Sequence, residues 1–220
     1  MSKYVIKYSR GDKVKYISHL DFVRMFHRAV RRSGLNFMFS QGFNPHPIMA
    51  VAVPLSVGVT ADGEYMNVGF ETTLSEKELI TLLNSVLPSG FEVKNAKKTE
   101  GKEYDFNLIE RAEYILDIEC DNPDAIDVNA FMSNREISIM KKTKSGEKET
   151  DIKPLIHSLE RIESESGNLG IRAILAAGNK ATLKPETLID AINKYLPDGK
   201  ITFFSAHRKA LLTKENKELL

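Results

Sequence analysis

Twice along this chain of 220 residues the apolar positions change period in the order strand, helix, strand, strand, helix, strand, the second time with extra hairpin material in the middle. That order restricts the fold sharply, because each amphipathic helix must bury its stripe against a sheet, and a β-α-β-β-α-β run does so with both helices on one antiparallel face. In the first pass, residues 3–8 (KYVIKY) alternate polar and apolar, and 13–17 (KVKYI) continue or pair with that strand. Ser18 and Asp21 read as a capping box opening a helix that Gly34 closes near 33, with Leu20, Val23, Phe26 and Val30 at helical spacing as its buried stripe. After Pro45 and Pro47, IMAVAVPL reads as a short buried strand, 64–71 as another, 76–86 as a helix capped by Ser75, and 91–97 as the closing strand.

The second pass follows a polar stretch at 98–108. It predicts strand 111–119, a weaker helix near 123–132, strand 135–142, a charged hairpin tip or loop at 143–150, and strands near 151–163 and 168–177. A helix over 185–196, led by Thr182 or by Lys184-Pro185, and strand 200–208 complete it. The expected fold class is therefore α+β: two ferredoxin-like βαββαβ units with antiparallel sheets and helices on one face, at 1–98 and 109–210. Residues 211–220 are expected as a short helix or a loose tail. The two halves show no visible sequence repeat, so the order of elements alone supports duplication.

A hydrophobic content of 42% is ample for packed cores, which excludes a wholly disordered chain. The single Cys120 excludes an intramolecular disulfide, a multi-cysteine zinc site and an iron–sulfur cluster, and points to the reducing cytosol. No run of about 18 apolar residues is present to span a membrane, and the start MSKYVIKYSRGDK lacks the apolar core of a signal peptide. A cytoplasmic location with no membrane partner is expected.

The net charge of +1 hides an asymmetry. Residues 1–50 carry nine Lys and Arg against only Asp12 and Asp21, while the rest of the chain is net acidic. Such a split marks a localised anion-binding surface. On the first helix Arg24, Arg28, Arg31 and Arg32 fall at i, i+4, i+7 and i+8, which places four guanidiniums along one face with no acid four residues away. Each can fork onto phosphate oxygens. A solvated basic helix face is the plain alternative.

The segment SQGFNPHP at 40–47 fixes its backbone with two prolines around His46, and Gly42 permits a tight turn. Phe43 can stack on a base and Asn44 can hydrogen-bond one, as single-stranded RNA requires. A structural turn with Phe43 in the core is the alternative. His19, His27 and His46, with Asp21 and Glu64, have no metal-ligand spacing, since His19 and His27 stand two turns apart; no metal and no cofactor are expected. His19 or His46, alone or with Tyr16 or Ser18, are the candidates for acid–base chemistry. Phosphate loops of the GxxxxGK[ST] and GxGxxG kinds are absent, as is the GxSxG nucleophile motif. His207, Arg208 and Lys209 extend the basic surface or belong to a frayed basic terminus.

The stretch YISHLDFVRMFHRAVRRSG, followed by SQGFNPHPIMAVAVPLSVGVTADGEYMNV, resembles the radical-SAM-linked protein family, a bacterial domain found beside or fused to radical SAM proteins with a B12-binding domain. The match is specific over residues 1–75 and looser beyond, where DIKPLIHSLE and the Lys184-Pro185 helix still fit. The residues that carry over are Ser18, His19, Asp21, Arg24, Arg28, Arg31, Arg32, Gly42, Phe43, Asn44, Pro45, His46, Pro47, Pro54, Leu55, Gly58, Glu64 and Tyr65. The resemblance brings no activity with it. It implies a radical SAM protein with a B12-binding domain as partner, because this chain has no CxxxCxxC motif and the radical chemistry must lie elsewhere. It also implies genes placed near those of ribonuclease and ribosomal proteins.

Three functions follow as expectations. The first is an RNA-binding or substrate-presenting accessory protein that acts with a radical SAM enzyme, using Arg24, Arg28, Arg31, Arg32, Phe43, Asn44 and His46. The second is a metal-independent endoribonuclease or RNA-modifying enzyme with His46 or His19 as acid–base. The third is a protein-docking adaptor that binds no nucleic acid.

Overall fold

Ser2–Arg10 opens the structure as strand β1, with Tyr4, Ile6 and Tyr8 on one face alternating with Lys3, Val5, Lys7 and Ser9, of which Val5 is buried as well. The computed structural model describes residues 1–220 apart from 101, 144, 145 and 165, and describes 141–143 by their backbone alone. The chain is a mixed α/β protein with antiparallel sheets and four α-helices among the described residues, in two units: Met1–Leu108 with Glu218–Leu220, and Ile109–Lys217. No helix among the described residues is long and apolar enough to cross a membrane.

In the first unit β1 is followed by α1 (His19–Arg32), β2 (Met49–Val51), β3 (Thr60–Phe70), α2 (Glu76–Val86) and β4 (Phe91–Thr99). The pairings are all antiparallel and give the order β4-β1-β3-β2. Both helices cover one face: Phe22, Phe26 and Val30 of α1 and Leu79 and Leu83 of α2 share a core with Tyr4, Ile6 and Tyr8 of β1 and Met66, Val68 and Phe70 of β3. Tyr8 stacks on Phe22 at 5.1 Å between centroids, and Phe91 of β4 leans on the same ring at 5.4 Å. Each such side chain gains about 1.5–3 kcal/mol by leaving water.

Three expectations for this unit change. The α1 stripe is Phe22, Phe26, Ala29 and Val30, with Val23 at its edge, and Leu20 is 65% exposed; the stack on Tyr8 selects this phase over the neighbouring one. Residues 13–17 are a turn and not a strand: Asp12–Val14 form a 3-10 turn, and the buried Arg10 guanidinium takes the carbonyls of Val14 and Ile17 that a strand would have paired. IMAVAVPL forms only the short β2, half-exposed at the sheet edge, because Pro45, Pro47 and Pro54 leave few amides to pair.

The second unit runs β5 (Ile109–Cys120), α3 (Val128–Ser133), β6 (Ser138–Thr143), β7 (Gly146–Asp151), β8 (Ile156–Glu163), β9 (Leu169–Ala176), α4 (Pro185–Tyr195) and β10 (Ile201–Thr213). Its main sheet has the order β10-β5-β9-β8, again antiparallel, with β6 and β7 as a separate hairpin. Much of the charged stretch 143–150 is thus strand β7 rather than a loop; 144 and 145 lie outside the described residues. Thr182 does not cap α4: its hydroxyl bonds the Gly178 carbonyl, and Pro185 opens the helix by itself.

The terminal segment is neither helix nor loose tail. Leu211 and Leu212 are buried in β10, and residues 218–220 belong to the first unit, where Glu218 accepts a hydrogen bond from Tyr65 (3.1 Å) and pairs with Lys7, and Leu219 is buried with its carbonyl bonded by Tyr104 (3.2 Å). Residues 207–209 lie within β10 and are no frayed end; Arg208 is buried there, while Lys209 is exposed.

The structure also exposes a repeat that reading the halves side by side misses. Asn84, near the end of α2, clasps the backbone of Val93, donating to its carbonyl (3.0 Å) and accepting from its amide (2.8 Å). Asn193, near the end of α4, clasps Ile201 in the same two ways, at 3.2 and 2.7 Å. The register between the two clasps (84 to 193) also matches Leu79 with Leu188, Ile80 with Ile189, Leu83 with Ile192, Leu87-Pro88 with Leu196-Pro197 and Gly90 with Gly199. A strand amide and carbonyl beyond the sheet ladder need partners, and one carboxamide supplies both.

Candidate nucleic-acid interface

Helix α1 starts where Ser18 accepts the Asp21 amide (3.2 Å) and donates its hydroxyl to the Asp21 carboxylate (2.8 Å). With Phe22, Phe26, Ala29 and Val30 in the core, all four arginines of the helix are exposed, but they differ in what holds them. Arg24 pairs with Asp21 at 3.3 Å, an acid three residues back. Arg32 reaches across to donate to the carbonyl of Val86 at the end of α2 (2.6 Å), where the helix dipole favours a cation. Arg28 and Arg31 have no hydrogen-bond or ion-pair partner among the described residues.

Beside α1 the chain makes a narrow hairpin over residues 37–48. Met38 donates to Gly69 of β3 (2.8 Å), Gly69 to Ile48 (2.9 Å) and Ile48 back to Met38 (2.7 Å), which pins both arms on one strand residue. Gly69 makes this approach possible: a Cβ there would stand 3.2 Å from the Met38 side chain and 3.4 Å from that of Ile48. Farther out, Phe39 bridges to Pro47 and the Ser40 amide donates to the His46 carbonyl (2.9 Å). The Ser40 hydroxyl accepts the His46 amide (3.1 Å) and lies 3.0 Å from His46 Nδ1, which is also 3.3 Å from the Asn44 carbonyl. Residues 41–45 form the tip, with Gly42 at φ 130°, and Phe43 there is fully exposed, which excludes the core role considered for it.

Two clefts lie between α1 and this hairpin. One, of about 360 Å³, is lined by His19, Val23 and His27 of α1, His46 and Pro47 of the hairpin, β2 and Pro54. The other, also about 360 Å³, is lined by His27, Val30 and Arg31 of α1, by 35–37, Phe39 and Pro47, and by Glu71. They share His27 and Pro47 and so adjoin as one groove along α1, where His19 and Arg31 stand twelve positions, about 18 Å, apart. His27 meets Phe37 edge-on at 5.0 Å, and burial, with the positive charge of Arg31, lowers its pKa from the usual imidazole value.

Of the residues singled out from sequence, His19, His46 and Arg31 line this groove. Arg24, Arg28 and Arg32, and the side chains of Phe43 and Asn44, do not line it, although Phe43 and Asn44 sit on the hairpin that walls it. Glu64 is buried in β3, and Asp21 is occupied by Ser18 and Arg24. Among the described residues no three His, Cys, Asp or Glu side chains come together as a metal site. Sequence reading passed over Ser40, Phe39 and the part His27 plays in both clefts. Cys120 is half-buried in the second unit, lining a cleft of about 390 Å³ with Arg161 and Asn168, and burial raises its thiol pKa.

A model of one bacterial protein family matches residues 3–185, most of the chain and the whole of this groove. The chain belongs to the family described as uncharacterized protein conserved in bacteria (DUF2344). No curated protein matches this DUF2344 chain. Among solved structures it is similar to a chain of a Cbf5-Nop10-Gar1 complex, at 14% identity and a TM-score of 0.48 over 93% of its length, where it spans about half (47%) of that chain. It is more distantly similar to a putative glycine cleavage system transcriptional repressor, at 12% identity and a TM-score of 0.25, covering 93% of this chain and 95% of the other.

Proposed function

We propose that the first unit binds single-stranded RNA along the α1 groove. The observation that carries this reading is the pairing of the groove's two walls: an α1 flank of imidazoles and a guanidinium faces a pinned hairpin that ends in the fully exposed Phe43. Unpartnered Arg28 and Arg31 suit phosphates, and an exposed ring is a stacking platform worth about 1–3 kcal/mol per base. Apart from Glu71 the ionisable groups of the lining are three histidines and Arg31, a set that favours an anion.

Around this site we read each unit as ferredoxin-like, supported by the strand orders β4-β1-β3-β2 and β10-β5-β9-β8 and by the matching Asn84 and Asn193 clasps. We read the chain as a cytoplasmic accessory protein that presents RNA to a radical SAM enzyme with a B12-binding domain. The resemblance over residues 1–75 supports that partner, and the lone Cys120 leaves cluster chemistry to it. Titration of labelled single-stranded RNA at about 50 and about 200 mM salt tests the binding. Salt-sensitive affinity is expected; no affinity at low salt overturns it and leaves α1 as a docking face for an acidic protein surface.

A further inference from the structure

His19, His27 and His46 come from two separate segments, yet all three line one cleft of about 360 Å³ whose remaining lining is apolar or proline. Three imidazoles at one cleft are unusual for a face that needs only positive charge, since arginine holds charge at every pH and histidine does not. They are not assembled as metal ligands among the described residues. What imidazoles supply instead is proton transfer near neutral pH.

We infer that this cleft is a metal-independent phosphodiester-cleaving site, in which His46 takes the proton of a ribose 2′-hydroxyl and His19 returns a proton to the leaving 5′-oxygen. The inference rests on the RNA reading above and adds an activity to it. The geometry of His46 fits the role. Its Nδ1 lies 3.0 Å from the Ser40 hydroxyl and 3.3 Å from the Asn44 carbonyl, so both contacts of the ring fall on Nδ1. Nε2 is the nitrogen left for a ligand, and in its role as base the ring carries its hydrogen on Nδ1, where the Asn44 carbonyl can accept it. His19, in the first turn of α1, lines the same cleft from the helix. The other charged residues of α1 are the Asp21–Arg24 pair, Arg28, Arg31 and Arg32, while β2 contributes only Met49, Ala50 and Val51 to the cleft. Arg31, in the adjoining cleft, is placed to hold a neighbouring phosphate.

The step balances without a co-reactant. The 2′-oxygen–phosphorus bond forms as the phosphorus–5′-oxygen bond breaks; one proton leaves the 2′-oxygen for His46 and one reaches the 5′-oxygen from His19. The products are a 2′,3′-cyclic phosphate and a 5′-hydroxyl. The full chain, with chelator present, is incubated with single-stranded RNA of randomised sequence and with its 2′-deoxy counterpart, binding being measured in parallel. Cleavage of the RNA alone to those ends is expected, with a bell-shaped pH profile and, at saturating RNA, a loss of turnover of about 10²–10⁴-fold in His46→Ala and in His19→Ala. RNA bound and recovered intact overturns the inference and leaves the binding reading standing; absence of binding overturns both. Cleavage that chelator abolishes, or that persists undiminished in both variants, also overturns it. His46→Gln, checked for an unchanged unfolding midpoint, separates lost chemistry from a collapsed hairpin.

Discussion

Ser40 holds His46 twice, its hydroxyl accepting the His46 amide at 3.1 Å and standing 3.0 Å from the ring nitrogen Nδ1. The Ser40 hydroxyl can serve either tautomer of the ring, whereas the Asn44 carbonyl, 3.3 Å from the same nitrogen, can only accept, and so favours the proton on Nδ1. Nitrogen-15 NMR of the neutral ring is expected to show Nδ1 protonated and Nε2 bare. Ser40→Ala is expected to leave that tautomer in place and to cost about 0.5–1.5 kcal/mol for the missing hydrogen bond. A spectrum with Nε2 protonated in the wild type contradicts this account of the hairpin.

The phase of α1 separates two large-to-small changes on one helix. Phe22, buried against Tyr8 and Phe91, is expected to cost about 3–5 kcal/mol as Phe22→Ala in urea unfolding. Leu20→Ala, at an exposed position, is expected to fall within about 0.5 kcal/mol. A large loss at Leu20 restores the stripe that helical spacing by itself suggests.

That contrast shows where the sequence was legible. Ser75 and Glu78 form a complete capping box, and α2 starts and ends where local chemistry says; Ser18 works in the same way for α1. Leu20 misleads because two stripes, 20-23-26-30 and 22-26-29-30, are both at helical spacing, and only a strand distant in sequence decides between them. The last ten residues look helical in composition, but Leu211 and Leu212 are claimed by β10 and Leu219 by the first unit, which are tertiary effects. The Asn84 and Asn193 repeat occupies too few positions to be seen before the strands fix its register. At the candidate site the arginines were visible from their spacing, but the uneven way in which Asp21 and Val86 occupy two of them was not. Ser40 carries no motif at all, and its importance comes from a hydrogen bond to a residue six positions on.

The repeat makes its own prediction. Asn84→Ala and Asn193→Ala each strip partners from one strand amide and one carbonyl, and each is expected to destabilise the chain by about 1–3 kcal/mol in denaturant. An effect confined to one of the two shows that the clasps are not equivalent.

His27 sets a direction for stability against pH. Its folded pKa lies below the ordinary imidazole value, so the unfolded chain binds a proton more readily and stability falls as pH drops from about 6.5 through the folded pKa. His157, lowered by burial and by Arg111, adds a contribution of the same sign. His27→Gln is expected to flatten part of this slope in unfolding curves measured across that range. An unchanged slope means that His27 is no less willing to take a proton folded than unfolded.

Whether the α1 groove is an RNA site is read most directly from fluorescence anisotropy of a labelled single-stranded RNA of randomised sequence, titrated with the wild type, Arg28→Ala/Arg31→Ala and Phe43→Ala across a range of salt. The wild type is expected to bind with an affinity that falls steeply as salt rises. The double arginine variant is expected to bind more weakly, with the logarithmic salt slope shallower by about 0.7 for each phosphate that the protein no longer neutralises on a single strand. Phe43→Ala is expected to lose about 1–3 kcal/mol of affinity, the worth of one stacked base, with its salt slope unchanged. Equal affinity and equal slope for all three proteins at low salt contradict the account and take RNA away from this groove.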